Sequence, residues 1–217
     1  MQTIQAYREK CYKCYRPKSS CMCLHVESFD TNTKFVILMH PKEFKKVKNG
    51  SGRFTHLSLK NSELFVGIDF SNHKQINEII STCRAYILYP SKDAINLSKE
   101  ALHVESNEQV AIFLIDSTWS CASKIFTQSK NLQNLQHMSF DSTKLSQFKI
   151  KEQPADYCLS TMESTLTVLE LLNEQGIEKI GQKNLDNFLN PFHEMVKYQI
   201  QCLENPKISA VRFKKYN

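Results

Sequence analysis

Residues 109–119 read QVAIFLIDSTW, an apolar run that ends at a carboxylate and is followed by the only tryptophan of the chain. A continuous run of this kind, without polar alternation, is typical of a strand that is buried on both faces. Similar runs stand at 34–40 (KFVILMH) and 84–90 (RAYILYP), and helical periodicity separates them. Strands that alternate with helices indicate an α/β domain with a mostly parallel sheet.

The remaining elements follow from shorter patterns. Apolar residues at helical spacing predict helices at 72–83, about 119–130, 160–176 and about 184–204. Pro191 lies inside the last of these, so we expect a kink or a break there. Short strands are predicted at 63–68, around 136–141 and at 148–154, and residues 41–53 are predicted to form a basic loop.

The composition is that of a globular protein. Hydrophobic residues make up 41% and charged residues 23% of the 217 positions. No apolar run is long enough to cross a bilayer. The first residues carry charges and cysteines where a signal peptide would need an apolar stretch. We therefore expect a cytoplasmic protein without a membrane partner.

Basic residues are concentrated in two segments of a chain whose formal net charge is +6. One is PKEFKKVKNGSGR (41–53) and the other is RFKKYN at the end of the chain. Such clusters suit a polyanionic partner, but a charge run is also common on a solvated face. Both interpretations stay open at this point.

Half of the eight cysteines are crowded into residues 11–23, at Cys11, Cys14, Cys21 and Cys23. Cysteines of a cytosolic chain are not expected to form disulfides. Four thiolates are enough for a closed tetrahedral zinc site, which would be structural, and His25 is an alternative ligand. Such a site would hold a segment too short to bury a core of its own. We predict a zinc-binding segment at 1–28 and a single larger domain at 29–217.

Asp116 and the residues after it form the first candidate ligand site. Ser117, Thr118 and Trp119 follow the carboxylate at the start of a predicted helix. A strand-end carboxylate and helix-start hydroxyls can orient a polar ligand. The structural interpretation is that the aspartate caps the helix and the tryptophan packs in the core. Spacing alone favours the structural interpretation.

The head of the helix at 160–176 is the second candidate. Ser160 and Glu163 have the spacing of a capping box. The same helix N-terminus also offers backbone N–H groups to a carboxylate. A capping role and a ligand-binding role are therefore compatible.

Six motifs occur in an order that resembles one family: CYKCYRPKSSCMC (11–23), HPKE (40–43), GSGR (50–53), LYPSKDA (88–94), DSTW (116–119) and LSTMES (159–164). This order resembles the DTW-domain proteins, which are tRNA-uridine aminocarboxypropyltransferases. The likeness extends from about residue 11 to residue 200. It implies a SPOUT-like domain with a deep trefoil knot, which the sequence pattern alone would not predict.

The resemblance also implies a reaction. Family members use S-adenosylmethionine and transfer its 3-amino-3-carboxypropyl group to N3 of a uridine in tRNA, releasing 5′-methylthioadenosine. Asp116 would accept the N3 proton or hold the cofactor in place. An RNA methyltransferase of the knotted class and a non-catalytic, zinc-bearing RNA-binding module are the alternatives.

Site residues implied by the resemblance fall into two groups. The walls of the cofactor pocket would be Tyr89, Pro90, Ser91, Ser117, Thr118, Trp119, Leu159, Ser160, Thr161 and Glu163. The tRNA phosphates would be held by Arg16, Lys18, Lys42, Lys45, Lys46, Lys48 and Arg53. The chain departs from the family at FKIKEQP (148–154), where an arginine-rich segment is usual, and at GSGR, where a threonine-containing turn is usual. No DNA partner is expected, and the protein is expected to be a monomer or a homodimer.

Overall fold

A parallel sheet forms the centre of the fold. The computed structural model describes residues 9–46, 50–105, 107–142, 145–150 and 158–205. The strands are β1 (Lys34–Met39), β2 (Ser62–Val66), β3 (Arg84–Leu88), β4 (Ile95–Asn96), β5 (Val110–Asp116) and β6 (Gln136–Ser139). Their order is β2-β1-β5-β3-β6-β4, and every pair is parallel. The predicted α/β class with a mostly parallel sheet is confirmed.

The helices of the described residues are α1 (Pro41–Lys46), α2 (Gly52–Ser58), α3 (Lys74–Thr82), α4 (Trp119–Gln128), α5 (Lys130–Gln133), α6 (Thr161–Glu174), α7 (Gln182–Phe188) and α8 (Asn190–Glu204). Two short 3-10 turns, Lys18–Ser20 and Cys23–His25, lie in the cysteine segment. None of these helices is long and apolar enough to cross a bilayer.

Both faces of the sheet are covered, which explains why its central strands are apolar throughout. On one face, Phe35 and Ile112 pack with apolar residues of α2, α6, α7 and α8. On the other face, Val36 and Phe113 pack with residues of α3, α4 and α5. A strand that is buried on both sides shows no polar alternation.

β5 lies between β1 and β3, so its last residue is placed near the middle of the carboxyl edge of the sheet. In the register of β1 and β5, Met39 is paired with Asp116. Ligands of open parallel sheets bind outside the carboxyl ends of the strands. The fold therefore places Asp116 where a ligand site is expected.

The cysteine segment packs on the same core as the sheet. Cys14 and Met22 are buried and belong to the cluster that contains Phe54 and Phe188. The division into a zinc-binding segment at 1–28 and a domain at 29–217 stays a prediction, as does the trefoil knot.

The prediction of a basic loop at 41–53 was wrong for much of its length. Residues 41–46 form α1, and α2 begins at Gly52. Proline is favoured at the first position of a helix, and Glu43 in the first turn suits the helix dipole. The density of charge concealed a helix that buries Glu43.

The strand predicted at 148–154 was also wrong where the structure describes it. Residues 149 and 150 form a turn, and residues 151–154 lie outside the described part of the chain. Phe148 is buried and meets the ring of Phe192 edge-on at 5.2 Å. The apolar residue anchors a loop here, and does not belong to a sheet ladder. The short strand β4 was not predicted.

The capping box at the start of α6 and the break at Pro191 were predicted correctly. Ser160 and Glu163 form the capping box of α6. Gly176, just after α6, has a φ of 75°, a conformation that glycine adopts without strain. Pro191 lies in the first turn of α8, directly after the break from α7.

Candidate functional site

The carboxylate of Asp116 joins three elements of the fold. Its Oδ1 accepts a hydrogen bond from the backbone N–H of Gly52 at 3.2 Å and from the hydroxyl of Thr161 at 2.7 Å. Asp116 ends β5, Gly52 begins α2 and Thr161 begins α6. The side chain is buried, with 5% of its surface exposed. The two donors fix the position of this carboxylate at the edge of the sheet.

Neither part of the structural interpretation of Asp116 and Trp119 is correct. The residue that caps α4 is Thr118, so Asp116 is not the N-cap. The tryptophan is 46% exposed at the start of α4, so it is not a core residue. Two exposed hydroxyls, those of Thr118 and Ser120, lie 3.4 Å apart on the same turn. The DSTW segment therefore presents an aromatic face and polar groups to the solvent at the carboxyl edge.

Glu163 is bound closely to its surroundings. Its Oε1 accepts the backbone N–H of Gln147 at 2.6 Å. Its Oε2 accepts the hydroxyl of Ser146 at 2.9 Å and the backbone N–H of Ser160 at 2.8 Å. The carboxylate is buried and therefore holds the loop at 145–150 against the N-terminus of α6. This loop was not part of the predicted site.

The predicted cofactor walls lie at the carboxyl ends of β3 and β5 and at the start of α6. Tyr89 is half-buried and stacks on Phe126 at 4.6 Å between ring centroids. Pro90 and Ser91 are exposed, and Leu159 is half-buried. The structure brings Asp116 and Thr161 into direct contact, while the segment at 89–91 lines the same edge on the β3 side.

The four clustered cysteines form a group that could hold a metal ion. Their sulfur atoms all lie within 4.8 Å of one another. Sγ of Cys11 is 3.7 Å from Sγ of Cys23, and Sγ of Cys14 is 3.7 Å from Sγ of Cys21. A tetrahedral zinc site with Zn–S bonds of about 2.3 Å has sulfur atoms about 3.8 Å apart. The group therefore fits zinc without His25, which is exposed.

The thiols of this group differ in acidity. Hydrogen bonding from the Cys14 backbone lowers the pKa of the Cys11 thiol to about 6. Burial raises the pKa of the Cys14 thiol above its usual value. Because a metal binds thiolates, its binding must release the protons of the buried thiols.

A pocket lies between the cysteine segment and the carboxyl edge of the sheet. Its lining includes Arg16, Glu43, Phe44, Arg53 and Phe54, and we call it the arginine pocket. Arg16 lies over the ring of Phe54, with 4.8 Å from its guanidinium carbon to the ring centroid. Arg53 contacts the pocket from α2, beside Gly52. The pocket thus carries two cations and one carboxylate.

Tyr15 completes the wall of the arginine pocket. Its backbone has a φ of 57°, which is unusual for a residue other than glycine. The guanidinium carbon of Arg53 lies 4.5 Å from the Tyr15 ring centroid and 4.6 Å from that of Phe44. The cysteine segment and α1 therefore each place one aromatic ring against this arginine.

The basic residues predicted to bind RNA occupy different environments. Lys42 and Lys45 on α1 are exposed, and so is Lys18, whose ammonium is 2.7 Å from Glu9. Arg16 is buried and Arg53 is half-buried. The side chain of Lys46 and the whole of Lys48 lie outside the described part of the chain.

A comparison of sequences tests the family that the six motifs indicate. The sequence profile of the DTW domain matches residues 8–200. The chain belongs to the DTW-domain family. The resemblance inferred from the six motifs is thereby confirmed.

This DTW-domain chain is similar to a fly protein and to a mouse protein. The tRNA-uridine aminocarboxypropyltransferase 2 of Drosophila melanogaster is 30% identical over 200 residues, which are 89% of this chain and 76% of the fly protein. The protein of the same name from Mus musculus is 28% identical over 200 residues, which are 89% of this chain and 64% of the mouse protein. No solved structure gives a significant match.

Several residues at the edge of this DTW domain were missed by sequence reasoning. Gly52 and Glu43 stand inside the quoted motifs GSGR and HPKE, but no role was assigned to either. Tyr15 lies inside the cysteine motif at 11–23, and Phe44 directly follows HPKE. These aromatic residues were visible in the sequence, but their contact with Arg53 could not be deduced from it.

Proposed function

We propose that this DTW-domain protein transfers the 3-amino-3-carboxypropyl group of S-adenosylmethionine to N3 of a uridine in tRNA. The observation that carries the proposal is the match over 200 residues to relatives named tRNA-uridine aminocarboxypropyltransferase 2. The buried carboxylate at the carboxyl edge of the sheet supports it, because the reaction needs a proton acceptor.

The proposed reaction forms one bond and breaks another. N3 of the uridine forms a bond to a carbon atom of the transferred group, the bond from that carbon to sulfur breaks, and 5′-methylthioadenosine leaves. The N3 proton passes to a base. When bound, S-adenosylmethionine supplies the electrophilic carbon next to its sulfonium. The protein must therefore orient two substrates and accept one proton.

Asp116 is the proposed base. Gly52 and Thr161 hold its Oδ1, which fixes the direction of the carboxylate relative to α2 and α6. Hydrogen bonds to a carboxylate favour its charged form, which is the form that accepts a proton. The nearby guanidinium of Arg53 is attracted to the same charge. In the alternative role the same carboxylate orients the cofactor.

The proposed cofactor pocket uses the two helix N-termini that flank Asp116. Thr118 and Trp119 begin α4 and are exposed, so they are accessible to a ligand. Trp119 offers an aromatic face for an adenine ring. The other proposed walls are Tyr89, Pro90, Ser91, Ser117, Leu159, Ser160, Thr161 and Glu163. Of these, Glu163 acts through the loop at 145–150, because its carboxylate is bound to Ser146 and Gln147.

Zinc is the proposed metal of the four-cysteine group. The sulfur spacing fits a tetrahedral site, and four protein ligands leave no open position for catalysis. The bound metal would hold the segment that carries Tyr15 and Arg16 against α1 and α2. Its proposed role is therefore structural.

The proposed tRNA contacts are the exposed lysines near the carboxyl edge. Lys42 and Lys45 lie on α1, directly after β1, and Lys18 extends the basic surface on the cysteine segment. Lys46 and Lys48 continue the same basic run in the sequence. Phosphate contacts of this kind orient an RNA without reading its sequence.

The experiment that tests the function uses purified protein, bulk tRNA and S-adenosylmethionine, followed by mass spectrometry of the nucleosides. The proposal predicts 3-(3-amino-3-carboxypropyl)uridine in the tRNA. Methylated nucleosides would instead identify an RNA methyltransferase of the knotted class. Binding of tRNA without any modified nucleoside would identify an RNA-binding module.

A further inference from the structure

The arginine pocket contains a buried cation whose hydrogen-bonding capacity is not filled. Arg16 is 4% exposed, and its Nη2 has no hydrogen-bond partner among the described residues. Buried polar groups are nearly always hydrogen-bonded in native proteins. Because this side chain also lines the arginine pocket, the unfilled donor points to an anionic ligand there.

Arg53 is a second cation in the same pocket, held with a defined orientation. The rings of Tyr15 and Phe44 lie 4.5 Å and 4.6 Å from its guanidinium carbon. These two cation–π contacts restrict the guanidinium, whose N–H donors all lie in its own plane. Two guanidinium groups with fixed planes are suited to an oxyanion, and most of all to a carboxylate or a phosphate.

Glu43 decides between those two anions. It lines the same pocket and is 9% exposed, so its negative charge lies close to any ligand that reaches the arginines. A phosphodiester has only negative charge and would be repelled by this residue. An α-amino acid carries a carboxylate and an ammonium on neighbouring atoms, which matches two cations and one anion.

The pocket borders the proposed reaction centre. Met39, which lines it, is paired in the sheet with Asp116. Arg53 follows Gly52, whose N–H binds the Asp116 carboxylate. Asp116 therefore lies between the arginine pocket on the β1 side and the proposed cofactor walls on the β3 side. A ligand beside Asp116 can reach both.

We infer that the arginine pocket binds the amino-acid end of S-adenosylmethionine, with the α-carboxylate at Arg16 and Arg53 and the α-ammonium at Glu43. This inference rests on the proposed function. It explains why the aminocarboxypropyl group is the one transferred, because binding of the amino-acid end orients these carbons toward the nucleophile. The metal site would then hold two residues of this pocket in place, since Tyr15 and Arg16 lie between the ligands Cys14 and Cys21.

Calorimetric binding of two probes tests the inference. S-adenosylhomocysteine has both the adenosine and the amino-acid end, whereas 5′-methylthioadenosine lacks the amino-acid end. Arg53→Gln is expected to weaken S-adenosylhomocysteine binding about tenfold or more, because a charge-assisted hydrogen bond is lost. It is expected to leave 5′-methylthioadenosine binding unchanged. The matched control Arg84→Gln lies at the amino end of β3 and should change neither affinity.

A second variant separates the ligand from the metal. Arg16 lies near the thiols of Cys14 and Cys21, so part of its charge also balances the sulfur cluster. Arg16→Lys keeps the charge but loses the planar donors. The Arg16→Lys variant is expected to keep its zinc content, measured by mass spectrometry. Its affinity for S-adenosylhomocysteine should fall, while its affinity for 5′-methylthioadenosine should not change.

Four results would overturn the inference. The first is unchanged S-adenosylhomocysteine affinity in Arg53→Gln, and the second is an equal loss for both probes. The third is reduced affinity for tRNA with unchanged affinity for S-adenosylhomocysteine, which would make the pocket a phosphate site. The fourth is wild-type protein that binds neither probe, which would remove the proposed function as well. The first three leave that function intact.

Discussion

Gly52 and Asp116 approach each other so closely that no side chain fits between them. The backbone N–H of Gly52 is 3.2 Å from Oδ1 of Asp116. A Cβ at residue 52 would lie 2.4 Å from Cγ of the carboxylate, which is far inside van der Waals contact. The glycine is required here because it lets the backbone of α2 reach the buried carboxylate.

Gly52→Ala should therefore abolish the reaction. In an open helix position this change stabilises by about 1 kcal/mol, but here the methyl group must displace the carboxylate or the first turn of α2. We expect loss of turnover and a lower melting temperature. Gly181→Ala is the matched control, because a Cβ at residue 181 meets nothing within 4 Å. Normal turnover of Gly52→Ala would show that the contact has no role.

Asp116→Asn separates a base from a cofactor-orienting residue. The amide oxygen of asparagine still accepts the hydrogen bonds from Gly52 and Thr161, so the fold should be retained. Loss of a general base lowers turnover about a hundredfold or more. We expect this loss with unchanged affinity for S-adenosylhomocysteine, measured by calorimetry. If the affinity disappears together with turnover, Asp116 is an orienting residue.

Glu163→Gln should loosen the loop at 145–150. The carboxylate accepts hydrogen bonds on both oxygens, whereas a glutamine side chain has only one oxygen. The variant therefore loses either the bond from Gln147 or the two bonds from Ser146 and Ser160. We expect the free energy of unfolding to fall by about 1–2 kcal/mol, measured by urea denaturation. The exposed Glu174 at the end of α6 provides the control Glu174→Gln. Equal stability of the two variants would remove the anchoring role.

Removal of zinc should destabilise the protein. Cys14 is buried within the sulfur cluster, so Cys14→Ser removes a ligand and is expected to lower both the zinc content and the melting temperature. A chelator should have the same effect on the wild-type protein. Cys83→Ser, outside the cluster, should change neither quantity. Wild-type protein that contains no metal and resists the chelator would refute the zinc site.

Charge reversal on α1 should weaken tRNA binding. Lys42→Glu and Lys45→Glu place negative charge on the exposed face beside the reaction centre. Fewer phosphate contacts release fewer counterions, so the affinity should fall and depend less steeply on salt concentration. Lys60→Glu is the control, because Lys60 precedes β2 and therefore lies at the amino ends of the parallel strands, away from α1. Titrations at several salt concentrations that agree for all three variants would mean that α1 does not contact tRNA.

The sequence predicted those parts of the molecule that depend on local pattern. β5 was recognisable because both of its faces are buried, and the cap of α6 because Ser160 and Glu163 are close in sequence. α1 was missed because its charges hid a short helix that begins at Pro41. The contact between Gly52 and Asp116 joins residues that are distant in sequence, and no periodicity encodes it.

The candidate site was predicted only in part for the same reason. The four cysteines of the first motif form a group that could hold a metal ion, and Asp116 lies at the carboxyl edge of the sheet. The motifs did not indicate that Arg16 would be buried or that Arg53 would lie against two aromatic rings. Those facts depend on how the cysteine segment packs against α1 and α2, which only the tertiary structure determines.

One measurement tests the central claim most directly. The protein is incubated with tRNA and with S-adenosylmethionine that is radiolabelled either in its carboxyl carbon or in its methyl group. The account predicts that label from the carboxyl carbon enters the tRNA, and that the methyl label leaves with 5′-methylthioadenosine. Label in the tRNA from the methyl group, with S-adenosylhomocysteine as the by-product, would contradict it.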